Sequence, residues 1–268
     1  MRAPTAGAPA MRVEPGVVSP HLDDAVLSCG RMLAANPGAL VVTVFDGGPA
    51  SVDPVTWWDG RCGFAAGDDV TAVRRAEDRA ALDLLGASAN HLGFWDHQYR
   101  EEAYGYPGPE GDALVEAVAR ALGDLVDRAG TDPGAPTTWL VPLGLVHPDH
   151  RLTARAALAV AESRPGSVWV LYEELPYGAQ YPDHVGPALD ALSARGFGLH
   201  DDLAGTGLAL PDAQGGHDAK AAAVAAYASQ GPGLGEDALS AALHGDERLH
   251  RLVVPGRRGG AGRGRTSP

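Results

Sequence analysis

Cysteine is nearly missing: Cys29 and Cys62 are the only two in 268 residues. Such a chain cannot rest on a disulfide framework, and a cytoplasmic setting is the expectation. Lysine is scarcer still, with Lys220 alone; arginine carries the remaining positive charge. Basic residues number 21 against 34 acidic ones, a formal net charge of −13. General nucleic-acid binding needs a cationic face, so no nucleic-acid partner is expected, and docking on anionic lipid is disfavoured for the same reason. No run of about 18 apolar residues is present, so no membrane-spanning helix is expected. The first twelve residues lack the apolar stretch of a signal peptide. What is there, 45% hydrophobic and 21% charged residues, excludes a wholly disordered chain and is enough to bury a core.

Apolar runs alternate with helical periodicity. Strands are expected at Arg12–Ser19, Ala39–Phe45, Asn90–Phe94, Thr138–Leu143 and Val168–Glu173. Helices are expected over Asp24–Ala35, Asp69–Leu85, Asp112–Ala129, Arg151–Glu162 and Asp218–Ser229, with a helix and a strand inside 236–254. Residues 46–69 and 95–110 are read as long polar and aromatic loops, of a length that points to function. Residues 1–12 read as a disordered leader, 13–254 as one domain, and 255–268 as a disordered Gly/Arg-rich tail. Strand–helix alternation implies an α/β fold: a Rossmann-like, mostly parallel sheet with helices on both faces. Sites in such sheets lie beyond the carboxyl ends of the strands.

Two polar segments follow strands. Ser19-Pro20-His21-Leu22-Asp23-Asp24 comes after the first, and His147-Pro148-Asp149-His150 after the Thr138–Leu143 run. His21, Asp24 and His150 form a three-ligand set for a divalent metal, two imidazoles and one carboxylate, with room left for water or substrate. Asp23, beside a ligand but aimed elsewhere, suits a general base. His147 suits a donor to a developing oxyanion or to a leaving amine. Asp149 suits a partner that orients one of the imidazoles. Each segment also has a plain helical explanation. Asp at a helix start is a common N-cap, and Pro after a polar cap is ordinary helix grammar.

At these residues the chain resembles the PIG-L/LmbE-type zinc-dependent N-acetylglucosamine deacetylases. Pro20-His21-Leu22-Asp23-Asp24 matches that family's Pro-His-Pro-Asp-Asp, and residues 147–150 match its His-Pro-Asp-His. Arg74-x-x-Glu77, Leu92-Gly93-Phe94-x-Asp96, Tyr172-Glu173 and Lys220-x-x-Ala223-x-x-x-Tyr227-x-Ser229-Gln230 extend the likeness over about residues 13–231. The resemblance implies one zinc per chain on His21, Asp24 and His150, a place that other divalent metals such as Fe2+ can take. It implies Asp23 as base, His147 at the oxyanion, and Arg74 and Asp96 on sugar hydroxyls. The implied substrate is a small-molecule amino sugar, and the motif forms look most like the antibiotic-tailoring branch. Leu22 departs from the usual Pro, and Ala25 from a common Glu. Leu145 stands where thiol-pathway members carry Tyr, which argues against a mycothiol-type assignment.

Three alternatives accompany this reading: a thiol-conjugate amidase, a long-chain N-acyl deacylase, and a non-catalytic metal-containing glycan-binding protein. Lys220 is read as a surface charge, Cys29 as a buried small residue and Cys62 as an exposed loop residue. Trp57, Trp58, Phe64, Trp95 and Tyr99 are read equally as sugar-stacking groups or loop anchors. Six further histidines, His91, His184, His200, His217, His244 and His250, are read as structural.

Overall fold

The computed structural model describes residues 14–100, 109–129 and 137–255; the expected leader, most of the Gly/Arg tail and the middle of the second loop lie outside them. Seven strands form one sheet: β1 (Gly16–Ser19), β2 (Leu40–Thr43), β3 (Ser88–His91), β4 (Thr138–Pro142), β5 (Val168–Tyr172), β6 (Gly198–His200) and β7 (Leu249–Val253). Their spatial order is β3-β2-β1-β4-β5-β7-β6. The first five strands run parallel, and β7 is antiparallel to both β5 and β6.

The helices are α1 (Asp24–Ala35), α2 (Trp57–Arg61), α3 (Val70–Leu84), α4 (Pro109–Ala129), α5 (Pro148–Ser163), α6 (Tyr177–Gln180), α7 (Val185–Ala194), α8 (Ala213–Ala225), α9 (Gln230–Leu234) and α10 (Glu236–His244). Alternate residues of each central strand enter opposite cores. Val17, Val41, Leu140, Val170 and Tyr172 pack beneath α1, α3 and α8. Val18, Val42, Trp139, Val141, Trp169 and Leu171 pack on the other face, with α4 and α5. Both faces are therefore covered, as continuous apolar strand runs require. Strand order reverses between β1 and β4, and that switch point opens the crevice in which the two polar segments meet.

Several boundaries differ from expectation, each for a local reason. The third strand lies earlier than Asn90–Phe94. Gly93 turns to φ +78° and gives its N–H to Asp46 Oδ1, which removes it from the ladder. Helix α5 starts at Pro148, so three of the four residues of the His-Pro-Asp-His segment are already helical. Helix α8 starts at Ala213, ahead of the expected Asp218, because Asp212 caps the N–H of Gly215 and carries the helix through two glycines. The first long loop contains α2, capped by Thr56 on the N–H of Asp59. Lys220 is no surface charge: it is 0% exposed and its Nζ lies 2.9 Å from Glu247 Oε1. Cys62 is buried as well, at the end of α2, and that burial pushes its thiol up to about 11.

Candidate functional site

Strand β1 delivers His21, Asp23 and Asp24 to the crevice. The turn is held by Ser19, whose Oγ donates to His21 O and accepts from Ala25 N–H. Asp23 occupies the N-cap position of α1, yet its side chain caps nothing. That frees its carboxylate to face a cavity of about 340 Å³, where it stands with His21, Asp24, Arg74, Asp96 and His147.

Strand β4 delivers the second segment through a strained turn. Val146 holds φ +53°, a left-handed conformation that a β-branched residue rarely adopts. Such strain costs on the order of 1–3 kcal/mol and persists where the surroundings over-determine it. Here it aims His147 at the cavity. His147 also performs the plain helical duty, since its Nδ1 accepts the N–H of Asp149 at the start of α5. Its proton therefore sits on Nε2.

Two carboxylate–imidazole pairs converge. Asp149 Oδ2 lies 3.1 Å from His21 Nε2, and Glu174 Oε1 lies 3.3 Å from His150 Nδ1. The remaining ring nitrogens, His21 Nδ1 and His150 Nε2, approach one atom, Asp24 Oδ2, at 3.1 and 3.0 Å. His150 is 0% exposed, and its Nε2 has no hydrogen-bond geometry toward that oxygen despite the short distance. A buried nitrogen lone pair turned toward a carboxylate is repulsive unless a proton or a metal cation lies between them. Ligand bonds of about 2.0–2.1 Å in a tetrahedral site put neighbouring donors about 3.3 Å apart, close to what is found. The outer carboxylates fix ring orientation as partners of metal-ligating histidines do. The residues thus fit a divalent metal.

Two donor groupings come within 4.8 Å among the described residues, His21 with His147 and His150, and His21 with Asp96 and Asp149; Asp24 belongs to neither. Asp24 instead joins His21 and His150 through one oxygen, while the other groupings draw on donors already engaged. His147 Nδ1 is spent on its cap, and Asp149 also holds the His97 N–H and the Arg100 guanidinium.

Electrostatics agree. Burial pulls the His150 imidazole down, but Asp24 and Glu174 outweigh it and hold it at about 9. His21 is likewise lowered by burial yet raised further by its bonds to Asp149 and Asp24. A surplus of carboxylate attracts positive charge here. Asp23 is raised, first by burial and then by the charge of Asp24, which suits a proton acceptor. His147 is lowered to about 3 by burial and by the charges of His21 and His150, so it stays neutral.

All eight residues singled out in the sequence gather at this crevice. Arg74 and Asp96 line the cavity but bind each other, Nη1 to Oδ2 at 3.1 Å. The motif pieces also meet: Glu77 accepts from Ser229 N–H and Oγ, and Tyr227 hydroxyl reaches the carbonyl of Leu22. The two long loops join as cavity walls, with Thr56 donating to Gln98 and Tyr99 to Asp59. Trp57 stands 73% exposed at the mouth, while Trp58 anchors to Gln230. Glu174 and His97 were missed. The signal for Glu174 was a second acidic residue at the carboxyl end of β5. The signal for His97 was a histidine directly after Asp96.

The family described as PIG-L: GlcNAc-PI de-N-acetylase matches residues 17–161. A 2'-N-acetylparomamine deacetylase of Streptomyces fradiae is 33% identical over 173 residues, 61% of this chain. The chain spans only 57% of that relative's length. Among solved structures, a deacetylase of the teicoplanin biosynthesis pathway superposes with TM-score 0.70 at 28% identity, covering 91% of this chain and 98% of that one. The zinc-inhibited form of teicoplanin deacetylase superposes with TM-score 0.66 at 28% identity, covering 91% and 98%. The shared fold and the matched motifs agree with the crevice geometry, and the chain belongs to the PIG-L family.

Proposed function

We propose that this protein is a metal-dependent hydrolase that removes the N-acetyl group from an amino-sugar unit of a small specialised metabolite. One observation carries the reading. Two oriented imidazoles converge on Asp24 while an uncapped, buried Asp23 faces the same cavity. The names of the relatives, deacetylases of N-acetylparomamine and in the teicoplanin pathway, supply the substrate class. His21, Asp24 and His150 would hold the metal, and an N, N, O donor set suits Zn2+ or Fe2+. When bound, it would polarise the amide carbonyl and acidify the attacking water. A cytoplasmic place of action goes with two unpaired thiols.

Asp23 takes a proton from the water that attacks the amide carbon. The carbonyl electron pair moves onto oxygen, and the Nε2–H of His147 donates to it. The proton on Asp23 then passes to the nitrogen as the C–N bond breaks, leaving acetate and a free amine. Arg74, 3.9 Å from Asp23 and paired with Asp96, keeps that carboxylate in place. A polar floor of aspartates and histidines beneath aromatic walls suits a sugar with an attached ring.

The reading is tested by acetate release from N-acetylglucosaminides, with and without chelator, in wild type and Asp23→Asn. Asp23→Asn should lose about 10²–10⁴-fold in turnover while keeping its metal. Full activity in that variant would remove Asp23 from the base role. Release from a thiol conjugate or a long-chain amide, but not from an acetamide, would favour those amidase readings. Metal retention without any hydrolysis would favour a glycan binder.

A further inference from the structure

His97 lines the cavity together with His21, Asp96 and His147. Its ring stands almost perpendicular to that of His147, with centroids 5.7 Å apart at 86°. The backbone around it is held without help from the imidazole. The His97 N–H donates to Asp149 Oδ2 at 2.9 Å, the Gln98 N–H to Asp96 Oδ1 at 3.2 Å, and Arg100 pairs with Asp149. The imidazole has a buried Nδ1 with no hydrogen-bond partner. An orphaned buried N–H is rarer than an orphaned acceptor, so the proton belongs on Nε2, the nitrogen left to the cavity. His147 reaches the same tautomer by another route, through its cap on Asp149 N–H. Two rings at right angles, each stapled through a neighbouring aspartate, thus offer the same kind of donor to one space.

We propose that His97 is a second catalytic donor, whose Nε2–H joins that of His147 in holding the amide oxygen as it gains negative charge. This rests on the amide-hydrolysis reading given above. As water oxygen bonds to the carbonyl carbon, the π pair moves onto the amide oxygen, and both imidazoles donate without giving up their protons. When the C–N bond breaks, that pair returns to the carbonyl, and nitrogen leaves with the proton that Asp23 accepted. Fixed donors of this kind act chiefly in the transition state, where the oxygen is charged.

The test uses the full, metal-loaded chain, an N-acetylglucosaminide and a phosphonate mimic of the tetrahedral species, comparing His97→Ala and His97→Gln with wild type. His97→Ala should lower kcat about 10²–10³-fold with KM within about twofold and metal content unchanged. Calorimetry should show the phosphonate weakened by a comparable factor. His97→Gln keeps an N–H donor and should recover about tenfold or more of the lost rate. An unaltered kcat in His97→Ala overturns the proposal. So does a rise in KM alone, which would make His97 a ground-state sugar contact. A rate loss with undiminished phosphonate binding and no rescue by His97→Gln also overturns it, because the role would be structural. A wild-type chain that releases no acetate overturns the underlying reading and the proposal with it, whereas an active wild type with an unaffected variant overturns the proposal alone.

Discussion

Two buried polar networks adjoin α1, one at its N-terminal end and one further along it, and they are built to opposite rules. The Glu247 network beneath the helix is nearly closed. Its carboxylate accepts from Lys220 Nζ, Arg31 N–H and Met32 N–H. Those two N–H groups are freed by a kink at Cys29, and Glu247 restores their partners. Gly30 is needed beside it, because a Cβ there would come 2.7 Å from Lys220 Cγ. Only Arg31 Nε in this group lacks a partner. The crevice network is left open. Of the eleven unpartnered buried side-chain atoms among the described residues, six belong to Arg74, His97, Arg100, His150 and Glu174. Buried polar groups are normally satisfied, so a cluster of exceptions is expected where something else binds. A network that only holds the fold finishes its own bonds, while one that handles a ligand leaves them unfinished.

That contrast can be broken by mutation. The largest effect should come from His150→Ala, which removes a proposed ligand: metal is lost and hydrolysis falls by about a thousandfold or more, read by metal analysis and acetate release. Retained stoichiometric metal would break the ligand assignment. Lys220→Met should do the reverse, leaving Glu247 buried without its cation. Unfolding free energy should drop by about 3–5 kcal/mol in denaturant titration while metal content stays the same. Glu174→Gln should fall between these, weakening metal affinity about 10–100-fold through a loosened His150; competition with a graded chelator measures it.

The smallest expected effect is one of pH. His250 bridges Glu173 and Asp201 at 2.9 and 2.8 Å, and its imidazole is raised above 6.5, chiefly by the bond to Glu173. A raised folded value means that protonation stabilises the fold. The contribution is complete below pH 6.5 and fades as pH climbs through the folded value. His250→Gln should flatten that decline in a pH series of melting temperatures.

The sequence located far more of the crevice than of the closed network. His21, Asp23 and Asp24 follow a strand within a few residues, as do His147 to His150, so local grammar is enough to place them. Helix α1 occupies the expected Asp24–Ala35 span, although its kink at Cys29 was not foreseen. Lys220 shows why the rest escaped. A lone lysine on an alanine-rich helix looks solvated, and only Glu247, 27 residues away, makes it buried. Strand β6 went unread because it has only three residues and gains its partner from β7 across the chain, and helix α7 because its opening Val185-Gly186-Pro187 reads as a turn. His97 escaped because its meaning depends on the ring of His147, 50 residues on.

Alternating apolar runs, capping residues and two histidine–aspartate segments after strands were enough by themselves to define a parallel α/β sheet and the types of donor at its edge. Side-chain periodicity and caps are local properties, so one chain read in order contains them. Which nitrogen faces which oxygen, and which buried charges find partners, was decided only when β1, β4 and β5 came side by side. The pairing of His21 with Asp149 joins residues 128 positions apart, and its energy depends on distances of a few ångströms that no local pattern carries.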